Sequence, residues 1–501
     1  MTFSYLRANR GPSEGFQVSP VHRHSGRRNR SDRRGNTRAV DPGTLGSGGA
    51  KTVLTAVSSS SDHASQAAGD LKSWLLIVAA MACAVPWFVY LALGDVVSGP
   101  PILIAIMTGS GIVGAAFLLS WAAEVFQLDV SQALALALLA LIAVLPEYAV
   151  DAVFAWNAAS DPSQAPYAVA NMTGSNRLLV GFGWGAVVLV AWLRTRSRAK
   201  LSRSAAQSTE DGTVVNGVVT LPAEQALELV VLAIASIYSL VIPFKGQIDL
   251  FDAGFLVTLF CVYAWATSRL PSEDPHLVGP AATVGKLTPS VRRAVMGAMF
   301  VFATAVIFLS AHHFADGLVR TGKALGIDEF VLVQWLAPLA SEAPEFLVAL
   351  LFAWRGLAGA GLRTLISSTV NQWTLLVGTL GVVFRIGQHY ALNPTSGAGL
   401  PLDVRQSEEL LLTSALSLFA LAMIANFDLS IREAGALLGF FLFQLVGAQI
   451  ATDRTAFQSV MIASFVTGAV YLIATSRDRR TAIMRVPGIL RASLGFGASP
   501  R

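Results

Sequence analysis

Pro146-Glu147-Tyr148-Ala149-Val150-Asp151-Ala152-Val153-Phe154-Ala155-Trp156 is echoed by Pro344-Glu345-Phe346-Leu347-Val348-Ala349-Leu350-Leu351-Phe352-Ala353-Trp354, 198 positions later. The shared pattern is Pro-Glu-aromatic-x-Val-x-x-x-Phe-Ala-Trp, and each copy lies deep in a long apolar stretch. A carboxylate inside a membrane segment is costly and marks an ion or proton path by default. Duplicated beside a proline in both halves of a chain, it is the mark of an internally repeated transporter with its ion site at broken helices.

The rest of the composition places those segments in a bilayer. Of 501 residues, 53% are hydrophobic and only 13% are charged, against about 25% charged in an ordinary soluble domain. The apolar residues come in runs of membrane-spanning length, which predicts an all-α, polytopic membrane protein. The two cysteines, Cys83 and Cys261, both sit in apolar runs and speak against a disulfide framework or a thiolate metal site. The net charge of +5 resides in tails and loops, so nucleic acid is not an expected partner; the lipid bilayer and inorganic cations are.

About twelve spans are expected, near 73–94, 101–123, 130–157, 166–193, 224–243, 249–269, 293–313, 328–355, 362–386, 408–426, 432–451 and 456–475. Residues 1–70, with the basic cluster Arg27-Arg28-Asn29-Arg30, read as a disordered cytoplasmic tail with no signal-peptide core. Residues 71–100 add an extra first helix. Two repeats follow, 101–270 and 293–452, joined by a cytoplasmic linker, 271–292; residues 453–501 hold the last helix and a second tail. Arg194, Arg196, Arg198, Lys200, Arg269, Lys286, Arg292, Arg293, Arg355 and Arg363 fall on one side, with Arg477, Arg479 and Arg480. The opposite loops hold fewer, so both termini are expected in the cytoplasm. The Pro-Glu copies fall in spans three and eight. A period of five spans turns the second five-helix unit upside down relative to the first.

The span after each Pro-Glu copy carries a polar cluster: Asn171-Met172-Thr173-Gly174-Ser175-Asn176, and Ser367-Ser368-Thr369-Val370-Asn371-Gln372. Glu147 and Glu345 are the expected central metal ligands, with amide oxygens from Asn176 and Asn371. Thr173, Ser175, Ser341, Ser368 and Thr369 offer hydroxyl oxygens, which together with carboxylates suit a hard cation. Asp151, four residues after Glu147, and Glu342, three before Glu345, each add a carboxylate on the same helical face. Carboxylates packed this closely cannot all stay charged, so a proton competes for the site. His312-His313, Glu224 and Glu228 are expected at span ends, as interfacial groups.

With these residues in hand, the chain resembles the sodium/calcium exchanger superfamily, the cation/Ca²⁺ antiporters. The resemblance rests on Leu145-Pro146-Glu147 with Thr173-Gly174-Ser175-Asn176, and on Ser341-Glu342-Ala343-Pro344-Glu345 with Ser368-Thr369-Val370-Asn371. It implies ten core helices in two inverted units, with ions bound at these four segments. Ile142-Ala143-Val144 stands where members usually carry Gly-Thr-Ser, and Asn371 where Na⁺-coupled members often carry Asp. These departures point to proton coupling. The expected function is therefore secondary antiport of Ca²⁺ or Na⁺ against Na⁺ or H⁺ in a bacterial plasma membrane, with the ions as cargo and no cofactor. A Na⁺/H⁺ exchanger on the same scaffold, or a non-transporting receptor or scaffold, is the alternative. No hydrolase or phosphate-loop spacing marks an enzyme.

Overall fold

An apolar run in hydrocarbon must satisfy its own backbone polar groups, which makes it helical. The computed structural model describes residues 69–93, 99–129, 145–201, 217–269 and 277–493, and they are overwhelmingly helical. The expected basic tail (except its last two residues), residues 130–144 of the third span, residue 270 and residues 271–276 of the linker lie outside the described residues. The helices relevant to the site are α1 (Gly69–Ala92), α2 (Pro101–Phe126), α3 (Leu145–Ala158), α4 (Ala165–Arg177), α5 (Gly185–Leu201), α6 (Ala226–Ser239), α7 (Leu250–Thr267) and α8 (Pro289–Leu325). They continue as α9 (Glu329–Ser341), α10 (Ala343–Arg355), α11 (Ala358–Asn371), α12 (Val377–Tyr390), α13 (Val404–Ile424), α14 (Ile431–Ile450), α15 (Arg454–Thr475) and α16 (Arg477–Ser493).

Among the described residues, nine helices are long and apolar enough to cross a membrane, or ten when the bent pair α9–α10 is one span. The expected third span is described only from Leu145 onward. The α11–α12 segment carries Arg363, Ser367, Ser368, Asn371 and Gln372 and is not among those helices. The fourth expected span, interrupted in sequence by Asn171, Asn176 and Arg177, is helical from Pro162 to Arg196.

The two halves repeat their packing. Helix α3 packs on α4 as α10 packs on α11; α3 meets α12 as α10 meets α5. Likewise α7 lies on α12 and α14 on α5, while α6 contacts α11 and α13 contacts α4. Helices α2 and α8 run along each other between the halves. Four three-residue strands follow the same rule: β1 (Val218–Thr220) pairs antiparallel with β4 (Asp428–Ser430), and β2 (Gln247–Asp249) with β3 (Gly399–Pro401). Helices α7 and α14 even begin alike. Asp249 forms a capping box with Asp252, and Ser430 forms one with Glu433, each satisfying free amides of a first turn.

Helices in lipid associate through close packing, which small residues allow. Gly174 of α4 faces the backbone carbonyl of Gln334 in α9, and Gly361 of α11 faces the backbone of Ala349 in α10. A methyl group at either place has no room. Gly174→Ala is expected to push α4 from α9 and cost about 1–3 kcal/mol, the usual range for overpacking. A melting temperature equal to wild type in detergent would sink that account.

At one end of the α2–α8 pair, Asp129 is bonded by Arg292 at 2.7 Å and Arg293 at 3.1 Å. The Arg292 guanidinium holds the Asp129 carboxyl below its ordinary value. A lowered folded value means the pair stabilises above the unfolded Asp range, near pH 4, and loses its effect as pH falls through the folded value. Asp129→Asn is therefore expected to lower the melting temperature at pH 7, with the gap to wild type closing under acid. A gap unchanged by pH would show that charge is not involved.

Two expected interfacial groups lie elsewhere. His312 and His313 are mid-helix, because α8 continues past them to Leu325, and the His313 ring packs on Trp87. Glu228 is drawn inward, accepting from Gln225 and from the Tyr263 hydroxyl at 3.1 Å.

Candidate cation site

Four segments meet at the centre of the fold. Pro146 and Glu147 lie near the start of the described part of α3, and Glu147 is buried. In the second half the chain breaks at Glu342, which closes α9 and opens α10 with φ −85° and ψ −4°. That bridge conformation is sparsely used in proteins and recurs at active sites. The axes of α9 and α10 differ by 56°. Helices α4 and α11 supply the polar clusters, and each runs directly into a π-helical turn, Leu178–Trp184 and Gln372–Leu376. Such turns are rare and concentrate at functional sites.

The carboxylates form one electrostatic group. Glu147 lies beside Ser341 and Glu342, Glu342 beside Glu147 and Glu345, and Asp151 beside Glu147. Asp151 is fully buried, and its Oδ1 accepts from Asn171 Nδ2 at 2.8 Å. Glu342 Oε1 accepts from the Ser175 hydroxyl at 2.5 Å and from Gln372 Nε2, while Gln372 Nε2 also reaches Ser175 Oγ at 2.8 Å. The first half's Ser175 and the second half's Gln372 thus meet on one carboxylate.

What is left unpaired defines the chemistry. On Glu147, Asp151, Asn171, Asn176, Glu342, Glu345, Ser368, Asn371 and Gln372, every buried polar atom without a hydrogen-bond partner is an oxygen. Both oxygens of Glu147 are among them, as are the amide oxygens of Asn176 and Asn371. Buried acceptors left unsatisfied are expensive. A set composed of oxygens is satisfied by cations or protons, and the carboxylate, amide and hydroxyl mixture suits a hard cation. Among the described residues, no three His, Cys, Asp or Glu side chains stand close enough to hold a metal as they are. A cavity of about 440 Å³ between α3, α8 and α12 reaches Asp151 and Tyr148, with otherwise mostly apolar walls.

Glu147, Ser175, Ser341, Glu342 and Glu345 are brought together. Asn176 and Asn371 occupy equivalent places just ahead of the π turns, with Asn176 Nδ2 bonded back to the Met172 carbonyl. Thr173 and Thr369 donate to the Val169 and Leu365 carbonyls of their own helices, and Thr173 is met by Gln334 rather than by a carboxylate.

Two features go beyond the expected site residues. Gln372 belongs to the second polar cluster, but its bridge to Ser175 and Glu342 depends on side-chain direction. The second is a buried network behind α4: Arg177 pairs with Glu409 at 2.5 Å, both fully enclosed. Glu409 also accepts from Arg454, from Gln458 at 2.7 Å and from Gln334 at 3.0 Å. The Arg177 guanidinium lies 5.1 Å over the Trp335 ring. A signal did exist: Gln225-Ala226-Leu227-Glu228 and Gln406-Ser407-Glu408-Glu409 repeat Gln-x-x-Glu near the starts of α6 and α13.

The profile of the sodium/calcium exchanger protein family matches residues 100–269 and 296–450, which include all four site segments. The chain belongs to this family. Among solved structures, the exchanger is similar to the H⁺/Ca²⁺ exchanger CAX, with 35% identity over 85% of this chain and all of that one, TM-score 0.74. It is also similar to YfkE, at 17% identity over 75% of this chain and 98% of that one, TM-score 0.51, a likeness of fold alone. No curated protein sequence matches the exchanger. It is an integral, multi-pass membrane protein of a transporter family. Helices α1, α15 and α16 lie outside the matched residues.

Proposed function

We propose that this exchanger moves Ca²⁺ across the membrane against H⁺ by alternating access, on two inverted five-helix units with both termini in the cytoplasm. The observation that carries the reading is the set of buried, unpartnered oxygens shared by Glu147, Glu342, Glu345, Asn176 and Asn371. Glu147 and Glu345 are the central ligands. Asn176 and Asn371 add amide oxygens, and Ser175, Ser341 and Ser368 add hydroxyls. Asp151 and Glu342 enlarge the negative charge, so a departing Ca²⁺ leaves carboxylates that protons must neutralise before the empty site can reorient. Antiport follows because both cargoes use the same oxygens. The missing hydroxyls at Ile142-Ala143-Val144 and the 35% identity to an H⁺/Ca²⁺ exchanger support H⁺ over Na⁺ as the driving ion.

Proteoliposomes loaded with a fluorescent Ca²⁺ reporter test this. A pH gradient is expected to drive Ca²⁺ flux, and a Na⁺ gradient at constant pH is not. Flux under the Na⁺ gradient alone would make Na⁺ the coupling ion. A pH gradient dissipated by Na⁺ without Ca²⁺ movement would establish Na⁺/H⁺ exchange instead. No flux from folded protein would favour a non-transporting role.

Loss of one amide ligand should weaken Ca²⁺ without ending transport. Asn176→Ala and Asn371→Ala are each expected to raise the Ca²⁺ KM about tenfold, roughly 1.4 kcal/mol. Unchanged KM in both would remove the asparagines from the site.

A further inference from the structure

The two halves match in their ligands and differ in charge one residue beyond them. Asn176 is followed by Arg177 and Asn371 by Gln372, each at the boundary of a π turn. Gln372 is neutral and turns toward Glu342 and Ser175. Arg177 is a fixed cation that turns toward Glu409. Its charge is not simply cancelled there, because Glu409 also binds Arg454: among the described residues, two cations stand against one anion. Arg177 is fully enclosed, whereas Arg454 is 28% exposed and open to screening by solvent.

We infer that Arg177 is a specificity-determining residue, a permanent positive charge one residue beyond Asn176 that weakens the hold on divalent cations. This rests on the Ca²⁺/H⁺ reading above. Coulomb energy is proportional to the charge of each partner. The field of Arg177 therefore opposes a bound Ca²⁺ twice as strongly as it opposes a single H⁺ at the same place. Four carboxylates, Glu147, Asp151, Glu342 and Glu345, would otherwise bind a divalent ion tightly enough to impede its release. The buried surplus charge weakens the hold of those carboxylates on Ca²⁺ and speeds its departure. Helix α15 takes part through Arg454 and Gln458, so an element outside the family-matched residues contributes to setting that charge.

Two substitutions move the charge in opposite directions. Arg177→Gln places the second half's residue in the first and leaves Glu409 paired with Arg454, so the surplus falls from one to zero. Glu409→Gln keeps the shape of the hub and raises the surplus to two. Ca²⁺ binding to the purified full-length protein is measured by titration calorimetry at fixed pH and salt, and transport in proteoliposomes gives KM and kcat. Arg177→Gln is expected to tighten Ca²⁺ about tenfold and to lower KM and kcat together, a shift typical of one coupling interaction. Glu409→Gln is expected to weaken Ca²⁺ by a similar factor, and a tightening of Ca²⁺ in Arg454→Gln, at the partly exposed partner, carries the test if the buried variants do not fold. Arg177→Lys, which keeps the charge, is expected to stay near wild type, and Arg454→Gln to shift less than Arg177→Gln. Affinity within twofold of wild type in the folded Arg177 and Glu409 variants would overturn the inference. So would shifts of the same sign in both, which mark a structural role. Wild-type protein that neither binds nor carries Ca²⁺ would overturn the exchange reading itself, and with it the role given to Arg177.

Discussion

Glutamine in place of Glu147 or of Glu345 is expected to bring Ca²⁺ exchange to background while the protein still folds. The two effects have one cause. Both Glu147 oxygens, and one of Glu345, are enclosed without a hydrogen-bond donor. A carboxylate in that setting contributes nothing to the apo fold and costs desolvation. An amide of the same shape carries no charge to desolvate, so the apo melting temperature should be equal to wild type or higher. The amide also cannot neutralise a divalent ion or accept a transported proton, so the exchange cycle stops at its first step. Ligand linkage gives a second reading. At a Ca²⁺ concentration one hundred times its Kd, wild type should gain about 2.7 kcal/mol, and either variant should gain almost none. The measurements are Ca²⁺ flux in proteoliposomes and melting with and without Ca²⁺. Transport at half the wild-type rate or better in both variants would remove the glutamates from the site.

Glu409→Ala is expected to have the opposite profile, a failure of stability before any question of transport arises. Removing one partner of a buried ion pair leaves the other charge uncompensated, at a cost of about 3–5 kcal/mol. Here the stranded group is Arg177, fully enclosed and already with Nη1 unpaired. The loss also removes the acceptor shared by α4, α9, α13 and α15, since Gln334, Arg454 and Gln458 all donate to it. Replacing both partners by apolar residues of similar volume, Arg177→Met with Glu409→Leu, should recover most of the loss, because such swaps are often neutral. Thermal melting in detergent checks both. A single variant as stable as wild type would mean that the pair is solvated in the membrane protein.

The repeat was legible because it is written twice in residues that hydrophobic segments otherwise avoid. A proline and a glutamate together, deep in an apolar run, have few structural explanations, and the echo removes most of those. The same holds for Gly174-Ser175-Asn176 and Ser368-Thr369-Val370-Asn371. Membership of the exchanger family and the polytopic helical fold followed from these and from composition. The Arg177–Glu409 pair was not legible. Its members lie on different helices far apart in sequence, and each alone reads as a polar interruption or an interfacial charge. The end of span seven differs from the expected one for a related reason. His312-His313 ended the apolar window, but α8 stays helical to Leu325 by burying Phe314, Leu318 and Val319 on one side. Thr173 shows the finer limit: spacing placed it on the ligand segment, and only side-chain direction shows it turned toward Gln334.

The break at Glu342 has a mechanical consequence. The residue whose carboxylate meets Ser175 and Gln372 is also the joint between α9 and α10. In most machines the sensor and the lever are separate parts linked by a train of contacts, and each link loses some of the stroke. Here the trigger sits on the hinge pin. Any change in what the Glu342 carboxylate holds, whether Ser175, Gln372, a proton or a metal, acts on the bend directly, with no intermediate part to absorb it.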